Sequence, residues 1–429
     1  MNLPANHRLV QLTPERLREV LDLDAWSFPT AASLDQLESV PFPLTWDRTV
    51  GIDAELPDES VPPADGAVPR RRELVALHSS YPYGQFPVPG ARLAAAGLTW
   101  VGVHPGHRRR GLLRAMMEHH FARCRADDEA ISVLFAADPG IYARFGYGAA
   151  ASEVHLLIPR AAPIHAVPDA DQHTLRVEHA TRAAHGALVA DVHRRAGEAS
   201  GRPGWVGRET PEQEATFWAD PEFERGGAED LRIVVVERDG DPRGYALLRR
   251  EFAWPGTGPD GTVALREVAA VDIAAAHALW GSLTTMDLME RVRTPRLATD
   301  DFVTRLLVNP RKADPHVVDN LWVRLVDVPA ALSRRRYATD LDIVLAVTDH
   351  HLPQNAGHWR LRARAFGEAT CTRTDDPADV GVDVANLGAA YLGSASLATT
   401  GAQEHTPNSL ARTATAFRWP VEAFCSWLW

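Results

Sequence analysis

A chain of 429 residues has room for about three domains. Its 45% hydrophobic and 24% charged residues are ordinary globular usage, which excludes a disordered or fibrous chain. The formal net charge of −11 gives no overall basic surface of the kind that nucleic-acid binding needs.

Three scattered cysteines, Cys124, Cys371 and Cys425, are too few for a disulfide framework or a thiolate metal cluster. No apolar run approaches the ~20 residues of a membrane span. The opening MNLPANHRLVQL lacks the basic-then-apolar order of a secretory signal. The expectation is a soluble cytoplasmic protein with no nucleic-acid and no membrane partner. Lys312, the only lysine, falls in a loop-like Asn309-Pro310-Arg311-Lys312 and carries little weight as a catalytic amine.

In chain order, residues 8–40 carry helical patterns interrupted by Pro29. Residues 41–69 are rich in proline and acid and predict strand fragments with an exposed loop around Pro57-Asp58-Glu59. A strand-like run begins at Leu74–His78, and residues 91–103 end in another, Leu98–Val103. A polar turn, His104–His107, leads through Arg108-Arg109-Arg110-Gly111 into Ala115–Cys124, apolar at helical spacing. Ile131–Ala136 reads as the next strand, followed by Asp138-Pro139-Gly140 and Ile141–Gly148.

A proline-bearing stretch, residues 159–171, opens a second unit with a strand and helix over residues 175–200. Leu231–Glu237, Asp239-Gly240 and Gly244–Leu248 predict a hairpin. Strand then helix recurs at 265–289, where Ala274–Leu279 stands in place of the arginines and glycine of the first copy. The second unit therefore reads as a diverged repeat with the scaffold and without the loop. A third segment begins near Leu321–Val328, with strands at 341–347, 359–363 and 369–372 and helices at 383–392 and 407–417.

The strand–turn–helix at 98–120 carries the chemistry. A glycine and arginines at the mouth of a helix offer unpaired N–H groups and a positive helix end, which suit a pyrophosphate. Gly111, with no Cβ, lets the backbone approach a phosphate. Three arginines facing the N-terminal end of a helix would otherwise cost stability.

The segment Arg108-Arg109-Arg110-Gly111-Leu112-Leu113 resembles the acetyl-CoA loop of GCN5-related N-acetyltransferases, Gln/Arg-x-x-Gly-x-Gly/Ala, and departs from it at Leu113. The longer string Trp100–Ala115 followed by Ile141–Gly148 resembles the enhanced intracellular survival (Eis) family, in which leucine at that position is usual. Trp322–Leu332 and Leu387–Gly393 are similar to that family's third domain.

The resemblance implies an α+β (mixed α/β) chain: a catalytic acetyltransferase domain at 1–158, a degenerate second one at 159–320, and a sterol-carrier-protein-like domain at 321–429. It implies acetyl transfer from acetyl-CoA to primary amines, aminoglycoside-like or lysine-type, and a homohexamer; no metal is expected, since His104 and His107 have no third ligand at metal spacing. Cofactor contacts would be Val101, Gly102 and Val103, then Arg109, Arg110, Gly111, Leu112, Leu113 and Arg114, with Ala137 and Asp138. Strand backbone would pair with the pantetheine amides like an added strand, and an N–H there would polarise the thioester carbonyl.

Tyr142 would be the general acid, although on composition alone it reads as a core aromatic before Phe145. Tyr147, between Gly146 and Gly148, reads as structural. The base would be the terminal carboxylate of Trp429, and Phe424–Trp429 is far too apolar for a frayed tail. Phe28 and Trp100 would wall the acceptor pocket. Leu428 beside the terminus is not an acid, and the nearest acid upstream of Phe28 is Asp24. An acid-poor rim predicts weaker aminoglycoside acetylation than an acidic one.

Other signals are weaker. His104 and His107 lack a third ligand at metal spacing. His119-His120 and His350-His351 point apart and read as solvated. Asp375-Asp376 before Pro377 reads as a helix start. The alternatives are a narrow-specificity metabolic amine acetyltransferase and a non-catalytic CoA- or lipid-binding protein.

Overall fold

The first domain is built on its longest hairpin. In the computed structural model, which describes residues 3–57 and 70–429, strands β1 (His7–Gln11), β2 (Val50–Pro57), β3 (Arg70–Val88) and β4 (Ala91–Val103) form an antiparallel run. Residues 8–11 are therefore strand where a helical pattern was expected; the helices α1 (Leu17–Ser27) and α2 (Leu34–Glu38) follow, and Ser33 and Gln36 close a capping box on α2. Pro57 closes β2, and Asp58 and Glu59 lie outside the described residues. From β4 the chain crosses through α3 (Leu112–Ala126) to β5 (Ile131–Leu134), which runs parallel to β4. Helix α4 (Pro139–Tyr142) and strand β6 (Gly148–Ala149) complete the unit.

One strand of the first sheet comes from far down the chain. Trp322–Leu325, the opening strand of the third segment, lies between β5 and β6 and is antiparallel to both. All four of its residues are buried, so nothing in its pattern ties it to one sheet rather than another. Its Arg324 makes a buried two-pronged ion pair with Asp349, at 2.8 and 2.7 Å, and Asp349 also holds the loop 349–352 through the backbone N–H groups of His351 and Leu352.

The second domain repeats the scaffold. Strand Gly261–Ala270 crosses through helix Ile273–Thr284 to the parallel strand Met289–Arg293, as β4 crosses through α3 to β5. The predicted hairpin is present, with Asp239 and Gly240 at φ 53° and 78°, the left-handed pair that a two-residue turn requires. Its crossover helix begins with the Asp272 side chain accepting from Ala275 N–H, so a carboxylate occupies the helix mouth that the first copy leaves open. The third domain is a five-stranded sheet packed by helices Val328–Arg334, Val384–Ala390 and Ser409–Phe417.

Contrary to expectation, Asp375-Asp376 starts no helix; the Asp376 carboxylate accepts from Thr374 and Arg360, and 374–379 is irregular. His120 is core rather than solvated: it meets Ser132 Oγ at 2.7 Å, while His119 meets the buried His78 at 3.3 Å.

Burial first, then His119, Arg123 and Arg48 nearby, pushes the His78 imidazole down to about 3, and His120 is also pushed well down by burial. Both rings are therefore neutral in the fold, while in the unfolded chain they take protons below about pH 6.5. Stability is expected to fall as pH drops from about 6.5 towards 3, with His78 contributing on the order of 5 kcal/mol at full extent. Denaturant unfolding across that range should show it, with a shallower decline in His78→Gln; an identical decline in the variant would place the loss elsewhere.

Candidate active site

A bulge and a splay open the centre of the first domain. On β3 only His78 stands opposite Trp100 and Val101 of β4, and Trp100 takes a left-handed φ of 52°. β4 pairs with β5 only through Ala95–Gly97, so beyond Gly97 the β4 edge facing β5 has no strand partner among the described residues. That stretch, Leu98–Val103, is where an extended ligand could add as a strand.

At the C-terminal end of β4, Arg109 and Gly111 both turn left-handed, at φ 61° and 82°. Gly111 stands at the N-cap of α3 and has no side chain to cap the first turn, so the N–H groups there face outward for an anion. A Cβ on Gly111 would meet nothing within 4 Å, so its need for glycine is conformational rather than steric.

Two cavities meet at this splay. One, of about 790 Å³, is lined by Val101, Gly102, Val103, Arg109, Gly111, Leu112, Leu113, Arg114, Ala137 and Asp138, all but one of the residues expected at the cofactor. The exception is Arg110, whose guanidinium turns back to donate to Gly106 O at 3.1 Å. Arg108, Arg144 and His351 also line it, and the resemblance assigned them no role; His351 comes from the third domain and meets Arg144 O at 2.7 Å. The other cavity, of about 710 Å³, holds Trp100, Asp24 and Trp429. Phe28, Val101, Ala137 and Tyr142 border both.

Tyr142 ends α4, whose first turn is capped by the Asp138 side chain accepting from Gly140 N–H. Burial, reinforced by the Asp138 charge, pushes its hydroxyl up to about 12. It is therefore fully protonated at neutral pH. Tyr147 is the structural partner: its hydroxyl lies 2.7 Å from Ser132 Oγ in the core, and its ring meets Tyr142 edge-on at 6.0 Å.

The chain end wedges into the splay. The Trp429 indole N–H donates to Leu98 O at 3.2 Å, where β5 no longer pairs with β4, and its ring packs at 5.0 Å from Phe135 and 5.2 Å from Tyr83. Gly97 leaves room for it; a Cβ there would stand 3.2 Å from the indole. The approach is held at each step. Glu422 N–H donates to Asp300, Phe424 N–H to Pro203 O, and Cys425 N–H to Asn320 Oδ1 at 2.7 Å.

The acceptor rim is not acid-poor. Glu153, Glu224 and Asp319 line the same cavity as Asp24, each from a segment distant in sequence, which corrects the acid-poor rim expected from the residues around Phe28 and Leu428. Glu153 is neutralised in part by Arg296 and accepts from Asn320, and Asp319 accepts from the Trp322 indole. Burial pushes the Asp24 carboxyl up to about 6. Asn320, which grips both Glu153 and the tail, had no signal in sequence because its partners are 167 and 105 residues away. Among the described residues, no cluster of three or more His, Cys, Asp or Glu side chains could hold a metal ion, and no helix is long and apolar enough to cross a membrane.

Family models for an acetyltransferase (GNAT) domain match residues 66–150 and again 204–325, and a sterol carrier protein domain matches 328–426. A protein called an uncharacterized N-acetyltransferase in Streptomyces avermitilis is 38% identical over 343 residues, 79% of this chain and 82% of that one. N-acetyltransferase Eis of Mycobacterium tuberculosis is 33% identical over 356 residues, 77% of this chain and 80% of its own. The crystal structure of Eis1 from Mycobacterium abscessus superposes with a TM-score of 0.77 over 99% of this chain and 100% of that one; at 24% identity it shows the shared fold. Two acetyltransferase domains, the second without its loop, followed by a sterol-carrier domain make this an acyltransferase, and the chain belongs to the Eis family of GCN5-related N-acetyltransferases.

Proposed function

We propose that the enzyme transfers the acetyl group of acetyl-CoA to a primary amine, aminoglycoside-like or lysine-type, by direct attack. The observation that carries this reading is the shared border of the two cavities, where Tyr142 and Val101 face both the arginine-lined groove and the acid-lined pocket. The groove fits a CoA-type donor: an uncapped helix mouth, a left-handed glycine and arginines for the pyrophosphate, and a free strand edge for the pantetheine amides. The pocket fits a cationic amine, since carboxylates outnumber its one arginine.

The bound ammonium first gives one proton to solvent through the Trp429 carboxylate, and the free amine nitrogen then attacks the thioester carbon, with the β4 backbone near Val101 polarising the carbonyl oxygen. The terminal carboxylate of Trp429 takes the proton leaving nitrogen. As the carbon–sulfur bond breaks, the Tyr142 hydroxyl donates to the departing thiolate. With its hydroxyl at about 12, Tyr142 regains its proton as the carboxylate releases one, directly or through water, leaving an amide and a free thiol. A thiol-release assay with acetyl-CoA and a panel of aminoglycosides, lysine peptides and small amines tests the proposal. Release that depends on the amine supports it; none with any amine overturns it.

A further inference from the structure

The second domain carries a buried charged cluster beside the chain end. Arg208 pairs with Glu267, which also accepts from the Tyr245 hydroxyl. The Arg208 side chain is 7% exposed, and its guanidinium lies 3.5 Å from the centre of the Phe217 ring and 5.0 Å from that of Trp427. Phe217 and Trp427 meet edge-on at 5.9 Å. Burial pushes the Glu267 carboxyl up, and the Arg208 charge with the hydrogen bonds from Tyr245 and Arg208 opposes this, leaving it below the usual carboxylate value.

A buried ion pair of this kind is often no more stable than an apolar core of the same volume, but it can hold its partners in one defined position. The segment leading into Arg208 also holds the tail, since Phe424 N–H donates to Pro203 O at 3.0 Å and the Ser426 hydroxyl donates to Val206 O at 2.9 Å. Trp427 stands two residues before Trp429, and both residues line the acceptor cavity.

We infer that Arg208 is a positioning residue for acetyl transfer: clamped by Glu267 and Phe217, it anchors Trp427 and so sets where the carboxylate of Trp429 stands. On this inference the second domain, which lost its own donor loop, serves as the seat of the first domain's base. The inference rests on the terminal-carboxylate reading above.

The test is steady-state kinetics of Arg208→Met/Glu267→Gln, which removes both charges so that neither is stranded, alongside Arg208→Lys, which keeps the charge. The double variant is expected to lose about 10- to 100-fold in kcat, the scale of a small misplacement of a catalytic group. Its dissociation constant for acetyl-CoA, measured directly, should stay within about twofold of wild type, and Arg208→Lys should be intermediate in kcat. A folded double variant with unchanged kcat overturns the inference. If the double variant does not fold, Trp427→Leu, which keeps both charges and removes only the anchored ring, is read in the same way. A chain extended past Trp429 separates the two ideas: full activity there removes the base reading and this inference with it. An inactive extension beside a fully active double variant removes the anchoring alone.

Discussion

Extending the chain past Trp429 by a few residues is expected to abolish most turnover, by about 10²- to 10⁴-fold, while acetyl-CoA still binds. The extension turns the terminal carboxylate into a neutral amide and moves the new charge away from the cavity that Trp429 lines. The arginines of the donor groove, Arg109 and Arg114, do not line the cavity that holds Trp429, so the extension leaves them in place. Deleting Trp429 should be as damaging. It draws the carboxylate back by up to ~3.6 Å, past hydrogen-bond tolerance, and removes the indole that fastens the end to Leu98. Trp429→Phe should be mild, since the carboxylate stays and an aromatic ring still packs on Phe135 and Tyr83. Steady-state kinetics with a direct acetyl-CoA binding measurement reads all three. Full activity in a folded, extended chain would sink the terminal base, and Asp24, in the same cavity and pushed up to about 6, would be the next carboxylate to test.

Tyr142→Phe should cost about 10²- to 10⁴-fold in kcat with little change in acetyl-CoA affinity. The substitution keeps the edge-on contact with Tyr147 and removes only the hydroxyl. The pH dependence has a definite sign. A hydroxyl near 12 is protonated throughout the assay range, so wild type should show no falling alkaline limb from Tyr142 below about pH 10. Unchanged turnover in the variant would pass the role to water, because the Tyr147 hydroxyl is already committed to Ser132 inside the core.

The donor side of the site was legible because its chemistry is local. Arg109, Gly111 and the opening of α3 sit within a few residues of one another, and their types already call for an anion at a helix mouth. The repeat was legible for a related reason: both crossovers keep the same strand–helix–strand order, and the absence of arginines at 274–279 matches a helix capped by Asp272. The acceptor side was not legible. Glu153, Glu224 and Asp319 reach one cavity only through tertiary packing, and sequence distance from Phe28 said nothing of them. Arg110 shows the opposite failure, since a residue inside the loop motif spends its charge on Gly106 O. Adjacent histidines on a helix read as solvated, yet His120 has the buried Ser132 hydroxyl as a partner from another element, which no local spacing shows.

The strand Trp322–Leu325 has a consequence for how the chain comes to be folded. It fills the slot between β5 and β6, so the first sheet stays split until residues nearly 200 positions downstream arrive. Contacts of such long sequence separation are slow to form, because the intervening loop must close before they reward it. During synthesis the N-terminal region therefore waits with the inner edge of β5 unpaired, an open template for stray strands. A fragment cut at the end of the first family match would carry the donor loop and still lack the strand that closes its own sheet.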